Sequence, residues 1–82
     1  MQVTLYSKPG CTLCTELKDD LCALQKEIDF VLLERNIEDD PQDFARFRYL
    51  IPVLDIENRE LLYPPHTWHT LRRALEMAQN AT

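Results

Sequence analysis

A helical stripe between two β-type segments constrains the fold of this 82-residue chain more than any other feature. Val3 to Tyr6 and the apolar run Phe30–Leu33, within Asp29 to Glu34, are each typical of a strand. Between them, apolar residues recur every three or four positions: Cys14, Leu17, Leu21, Leu24 and Ile28. This spacing predicts a helix that begins near Cys11 or Thr12 and ends near Glu27. Two strands joined by a helix are expected to be parallel.

The second half of the chain predicts two further helices and two further strands. Pro41 fits the first position of a helix over Pro41–Arg48, which must end before Pro52 because the residue preceding a proline disfavours helical geometry. Pro52–Ile56 and Glu60–Tyr63 flank a polar turn and predict an antiparallel hairpin. Thr67 is a suitable N-cap for a last helix, whose apolar stripe is Trp68, Leu71, Leu75 and Ala78.

The order of these elements predicts an α/β fold, β-α-β-α-β-β-α, in one domain over residues 1–82. The sheet is expected to be mixed and four-stranded, with helices on both faces. The continuous apolar run of the second strand predicts that this strand is covered on both sides.

Charge and cysteine content exclude several classes of function. The net charge of −5 argues against a nucleic-acid partner, which requires a basic surface. No apolar run approaches the roughly 20 residues that span a bilayer, and no basic-then-apolar leader opens the sequence, so we expect no membrane partner. Three cysteines do not suit a disulfide-stapled secreted scaffold. We therefore expect a monomer in the reducing cytoplasm.

Cys11 and Cys14 have the spacing and the position of a redox-active pair. Residues three apart on the first turn of a helix are neighbours and can form a disulfide. Cys11 lies where free backbone N–H groups and the helix dipole favour an anion, and Lys8 adds positive charge. Both effects lower a thiol pKa from about 8.5. Cys11 is therefore the predicted attacking thiol, and Cys14, which begins the buried stripe, the resolving one.

The segment Val3–Cys14 resembles the opening of a glutaredoxin, with a strand, an aromatic residue, Lys-Pro and then Cys-x-x-Cys. Ile51–Pro52–Val53–Leu54 resembles the cis-proline strand of that family. The element order is similar to that of short bacterial glutaredoxin-like proteins. The resemblance implies a thioredoxin-like fold and a dithiol–disulfide oxidoreductase acting on protein or small-molecule disulfides. It also implies a cis bond before Pro52, a backbone contact of Ile51 with an extended substrate, and a contact of Lys8 with a glutathione carboxylate.

One family feature is missing. Glutaredoxins hold the γ-glutamyl end of glutathione with Gly-Gly and a following acidic residue, where this chain has Leu62–Thr67. Arg46, Arg48 and Tyr49 are only loosely placed to contribute to the other end. The electron donor is therefore left open between glutathione and a thioredoxin-reductase system, and we expect no bound cofactor.

Two other interpretations of the cysteine pair stay open. The same fold can carry a metal ion or an iron–sulfur cluster, although structural zinc needs four ligands and only Cys22, His66 and His69 are available in composition. The fold can also serve as an interaction domain with idle thiols. Cys22 is expected on a helix surface as a bystander, and Trp68 is expected in the core.

Overall fold

A computed structural model of the chain describes residues 1–80. Three of the four predicted strands and all three predicted helices are present, in the expected order. The elements are β1 (Gln2–Ser7), α1 (Thr12–Leu24), β2 (Val31–Asn36), α2 (Pro41–Phe47), β3 (Val53–Ile56) and α3 (Trp68–Asn80), with a short 3₁₀ turn over Ile37–Asp39.

The sheet has β1 at its centre, in the order β2-β1-β3. β1 pairs with β2 in parallel, from Gln2 opposite Val31 to Ser7 opposite Asn36, as the strand–helix–strand pattern predicts. β3 runs antiparallel to β1 on the other side. Because β1 is hydrogen-bonded on both edges, the loop that leaves it toward α1 starts from the most firmly held strand of the sheet.

The predicted fourth strand over Glu60–Tyr63 is wrong for the described part of the chain, where the sheet is three-stranded. Leu62 makes an isolated antiparallel bridge to Leu54, with N–H···O distances of 3.0 and 2.9 Å. Pro64 and Pro65 follow directly, and a proline has no N–H to donate to a ladder. Pairing therefore ends after one bridge.

The two faces of the sheet carry separate apolar clusters. On one face, Val3 and Leu5 of β1 pack with the stripes of α1 and α3. On the other, Tyr6 packs with Phe47 of α2, their ring centroids 4.6 Å apart, and with Val53. The alternation along β1 sends successive side chains to opposite faces. Helices therefore cover both faces, as predicted.

β2 is an edge strand, and the prediction that it is covered on both sides is wrong. Val31 and Leu33 are 59% and 42% exposed, while Leu32 packs against the larger cluster. The smaller apolar cluster contains no β2 side chain. The contact between β2 and α2 is an ion pair: Arg35 of β2 lies 2.9 Å from the buried carboxylate of Asp43 in α2.

The helix ends differ little from prediction, and one residue of a predicted stripe is misplaced. α1 ends at Leu24 rather than near Glu27, because Lys26 and Glu27 donate to carbonyls three residues back in a tighter turn. Thr67 does cap α3, its Oγ1 accepting from Thr70 N–H at 3.1 Å. Trp68 is 40% exposed rather than in the core, because it lies one turn before Leu71, where the buried stripe begins.

The described residues contain no helix with the length and apolar character needed to cross a bilayer.

Candidate active site

The two cysteines at the start of α1 are joined in a disulfide, with their Cα atoms 5.2 Å apart. This separation lies within the usual range for disulfides. Cys14 is buried at 3% exposure and begins the packed stripe of α1, whereas Cys11 is half-buried at the helix start. The pair therefore consists of one partly exposed cysteine and one buried cysteine.

The loop that delivers Cys11 to the helix start depends on the only glycine in the sequence. Gly10 has φ +78°, in the left-handed region that side chains rarely adopt. A Cβ at this position would meet no atom within 4 Å, so the backbone conformation, not crowding, requires glycine. The turn allows the chain to leave β1 and enter α1 with Cys11 as the first residue outside the helix.

Cys11 is the N-cap of α1, a position that exposes its sulfur to unpaired backbone donors. Its backbone is extended, and its Sγ accepts the N–H of Cys14 at 3.2 Å. Its carbonyl accepts the first helical bond, from Thr15 N–H at 3.1 Å. N-cap side chains normally accept such N–H groups through oxygen. Here a sulfur occupies the place where the helix dipole favours negative charge.

The Ile51–Pro52 peptide bond is cis. The residues before it fold back on the end of α2, where Leu50 and Ile51 donate to the Phe47 carbonyl at 2.8 and 3.1 Å. The Ile51 N–H is therefore already engaged, and a substrate strand could use it only by displacing the Phe47 carbonyl. The substrate-binding roles of Ile51 and Pro52 stay predictions.

A groove of about 410 Å³ runs along α1 from Leu13, one of the two residues between the cysteines. One wall is α1, and the other is formed by Pro52 and the segment that follows the Leu62 bridge. A hydrogen bond connects the two parts of this second wall: His66 Nε2 lies 2.8 Å from the Pro52 carbonyl oxygen and donates to it. The lining residues are Leu13, Glu16, Leu17, Asp20, Pro52, Pro64, Pro65 and His66.

Comparison with known proteins agrees with this architecture. The family model described as a glutaredoxin-like domain matches residues 2–76. The chain belongs to the glutaredoxin-like domain family. Among solved structures, target protein XcR50 from X. campestris is similar over 92% of this chain and 96% of that one, at 24% identity and a TM-score of 0.79.

A second solved structure, thioredoxin 1 from Thermosipho africanus, matches 96% of this chain and 99% of its own. Its identity is 15% and its TM-score 0.68, so the likeness concerns the fold. The comparison with curated proteins gave no significant match. The thioredoxin-like fold that the family resemblance implies is thus confirmed.

Lys8 of this glutaredoxin-like domain is exposed and does not line the groove. It lies in a separate polar cleft together with Thr15, Glu34 and Asp39. Glu34 is itself engaged, accepting from Ser7 Oγ and from Lys18 Nζ, each at 3.2 Å. The predicted contact of Lys8 with a substrate carboxylate is not tested by this arrangement and stays a prediction.

Apart from His66, the remaining polar residues named from the sequence are at the surface, outside the groove. Cys22 is exposed on α1, as predicted. Arg48 and Tyr49 are exposed and contact each other through a hydrogen bond and a cation–π contact. Arg46 is exposed and stacks over the Phe47 ring at 4.6 Å. Within residues 1–80, no three His, Cys, Asp or Glu side chains cluster as metal ligands would.

Sequence reasoning named His66 only as an available metal ligand and missed it as part of the candidate site. The signal was present, because Pro64, Pro65 and His66 occupy the place where glutaredoxins have their glycine pair. What the sequence could not give is the partner: a hydrogen bond to the carbonyl of a residue 14 positions earlier depends on the fold of the whole loop.

The cap position of Cys11 leads to a prediction about its acidity. In the reduced protein we expect the Cys11 thiol to have a pKa below the value of about 8.5 for free cysteine, because the first N–H groups of α1 stabilise its thiolate. The rate of iodoacetamide alkylation against pH, followed residue by residue with mass spectrometry, measures this midpoint. Exposed Cys22 is the internal control. A Cys11 midpoint no lower than that of Cys22 would contradict the prediction.

Proposed function

We propose that this glutaredoxin-like domain is a dithiol–disulfide oxidoreductase that reduces protein or small-molecule disulfides through Cys11 and Cys14. One observation carries the proposal: the half-buried residue Cys11 caps α1 through its sulfur, which accepts the N–H of Cys14, while Cys14 is buried and bonded to it. The cap supplies a stabilised thiolate, and the buried partner supplies a shielded second thiol.

In the first step the Cys11 thiolate attacks one sulfur of the substrate disulfide. A bond forms between Cys11 Sγ and that sulfur, the substrate S–S bond breaks, and the first product leaves as a thiolate that takes up a proton. Cys11 is suited to this role because it is the more exposed residue of the pair.

In the second step Cys14 loses its proton and attacks the Cys11 sulfur of the mixed disulfide. The bond between Cys11 and the substrate breaks, the second product thiol leaves, and the Cys11–Cys14 disulfide forms. Two electrons and two protons have then moved from the protein dithiol to the substrate. The disulfide found at the start of α1 is the product state of this cycle.

A dithiol reductase must itself be reduced again after each cycle. We propose that glutathione or a thioredoxin-reductase system supplies the electrons, in the cytoplasm. We further propose that the domain acts as a monomer, because each chain carries both thiols that the cycle needs.

The test supplies oxidised protein with dithiothreitol, with glutathione and its reductase, or with a thioredoxin-reductase system, and follows reduction of a peptide disulfide. With dithiothreitol we expect turnover well above the uncatalysed rate. With glutathione we expect turnover slower than with dithiothreitol by about tenfold or more, because segment 62–67 lacks the acidic residue that would hold the γ-glutamyl end of glutathione. A lost charge-assisted hydrogen bond costs about 1.5–3 kcal/mol, and each 1.4 kcal/mol is a factor of ten.

The uncatalysed exchange of each reductant with the same peptide disulfide is the control for their intrinsic reactivity. Absence of turnover with all three electron sources would reject the proposed function. Rapid, saturable turnover with glutathione would instead show that segment 62–67 accommodates glutathione in spite of its prolines.

A further inference from the structure

The groove beside the disulfide is lined with negative charge. Glu16 and Asp20 are four residues apart on α1, which places both carboxylates on the same wall. Neither Lys nor Arg is among the residues that line the groove. His66 is the one other ionisable lining residue, and its Nε2 proton is held by the Pro52 carbonyl.

These two carboxylates have no compensating partner within residues 1–80. Some other acidic side chains are paired, such as Glu27 with Arg72 at 2.9 Å and Asp43 with Arg35 at 2.9 Å. Others within the described residues have no ion pair either, but they do not line this groove. No ion pair joins Glu16 or Asp20 to a described basic residue. Like charges at this spacing destabilise a helix, and a cation placed between them would relieve that repulsion.

The rest of the groove is apolar and suits the stem of a long cationic side chain. Leu13, which lies between the two cysteines, is 60% exposed, and the opposite wall presents Pro52, Pro64 and Pro65. Lysine and arginine pack their aliphatic stems on such surfaces while the charged end reaches polar groups. A volume of about 410 Å³ is typical of a small ligand site and accommodates a few side chains.

We propose that this groove selects disulfide substrates whose neighbouring residues are cationic, namely an extended polypeptide segment with lysine or arginine beside the disulfide-bonded cysteine. The inference rests on the proposed function and names its substrate class. The substrate sulfur meets Cys11, and the adjacent basic side chains lie along α1 with their charged ends at Glu16 and Asp20.

The same charges disfavour glutathione, which carries two carboxylates and one ammonium group. Its carboxylates would face Glu16 and Asp20 without a basic residue in the groove to hold them. Lys8 lies in the separate polar cleft, where Glu34 and Asp39 already supply negative charge.

The experiment compares two acetylated, amidated peptides, Ala-Lys-Cys-Lys-Ala and Ala-Glu-Cys-Glu-Ala, each as its symmetric disulfide. Fully reduced protein, freed of reductant, is mixed with each, and acid-quenched samples give the rate of thiol release. Each rate is divided by the rate with 2-mercaptoethanol, which removes the intrinsic effect of the peptide charges. We expect a normalised preference for the lysine peptide of about tenfold at low salt, falling as salt screens the charges.

Glu16→Gln combined with Asp20→Asn should reduce this preference about fivefold. Asp19→Asn combined with Glu60→Gln is the matched control, since both residues are exposed, neither lines the groove, and the net charge changes equally. The control should keep the preference. Circular dichroism verifies that each variant folds, and the single variant Glu16→Gln, at an exposed position, gives a second measurement.

Three outcomes overturn the inference in distinguishable ways. Equal normalised rates for the two peptides with wild-type protein would show that the groove does not select substrates by their charge, while the oxidoreductase function stands. An equal loss of preference in the Asp19 and Glu60 control would assign the effect to net charge. Failure to reduce either peptide would reject the proposed function itself.

Discussion

Replacing Cys14 with serine is expected to trap a mixed disulfide between Cys11 and the substrate, whereas Cys11→Ser is expected to abolish disulfide reduction. The attacking sulfur must be reachable and ionised, and Cys11 is half-buried at the cap of α1. The resolving sulfur must be shielded and near, and Cys14 is 3% exposed and bonded to Cys11. Without Cys14 the first exchange still occurs, but the product cannot be displaced.

Mass spectrometry under non-reducing conditions, after incubation with an oxidised peptide, locates the adduct in each variant. Cys11→Ser should reduce the peptide only at the rate of the uncatalysed exchange. Cys22→Ser is the control, because Cys22 is exposed elsewhere on α1 and should leave turnover unchanged. An adduct on Cys14 would reverse the assigned roles. Identical behaviour of wild type and all three variants would favour the interaction-domain reading.

The part of the site that depends on local sequence could be predicted. Cys11 and Cys14 are near in sequence and follow a strand and a glycine turn, so their joint position at a helix start needs little knowledge of the rest of the fold. The helical stripes were predictable for the same reason, because a period of three and four residues records which face is buried. Leu17, Leu21 and Leu24 are all buried as expected.

Features that depend on neighbours distant in sequence could not be predicted. The apolar run Phe30–Leu33 does not reveal that β2 lies at the sheet edge with Val31 and Leu33 exposed. Segment 60–63 has strand-like residues, yet the prolines after it end the pairing at one bridge. The bond from His66 to Pro52 required the folded loop. Sequence periodicity shows which face of a helix or strand is buried. The position of a strand in the sheet and the contacts of a loop depend instead on which other elements lie beside them.

Phe47 is expected to dominate the stability of the sheet face opposite α1. It is 2% exposed, packs against the Tyr6 ring with centroids 4.6 Å apart, and is the largest fully buried side chain of the cluster that also contains Ile37 and Val53. Its backbone carbonyl also holds the N–H groups that lead into Pro52. The Phe47 side chain therefore holds α2 against the sheet, and its backbone carbonyl holds the loop that leads into Pro52.

Phe47→Ala should lower the free energy of unfolding by about 3–5 kcal/mol, because it removes a buried ring and leaves a cavity. That is a large share of the roughly 5–10 kcal/mol typical of a domain this small. Urea unfolding followed by circular dichroism measures the change. Phe44→Ala is the matched control on the same helix, since Phe44 is 37% exposed and its truncation should cost about 1 kcal/mol or less. Equal losses in the two variants would show that the small cluster does not hold α2 to the sheet.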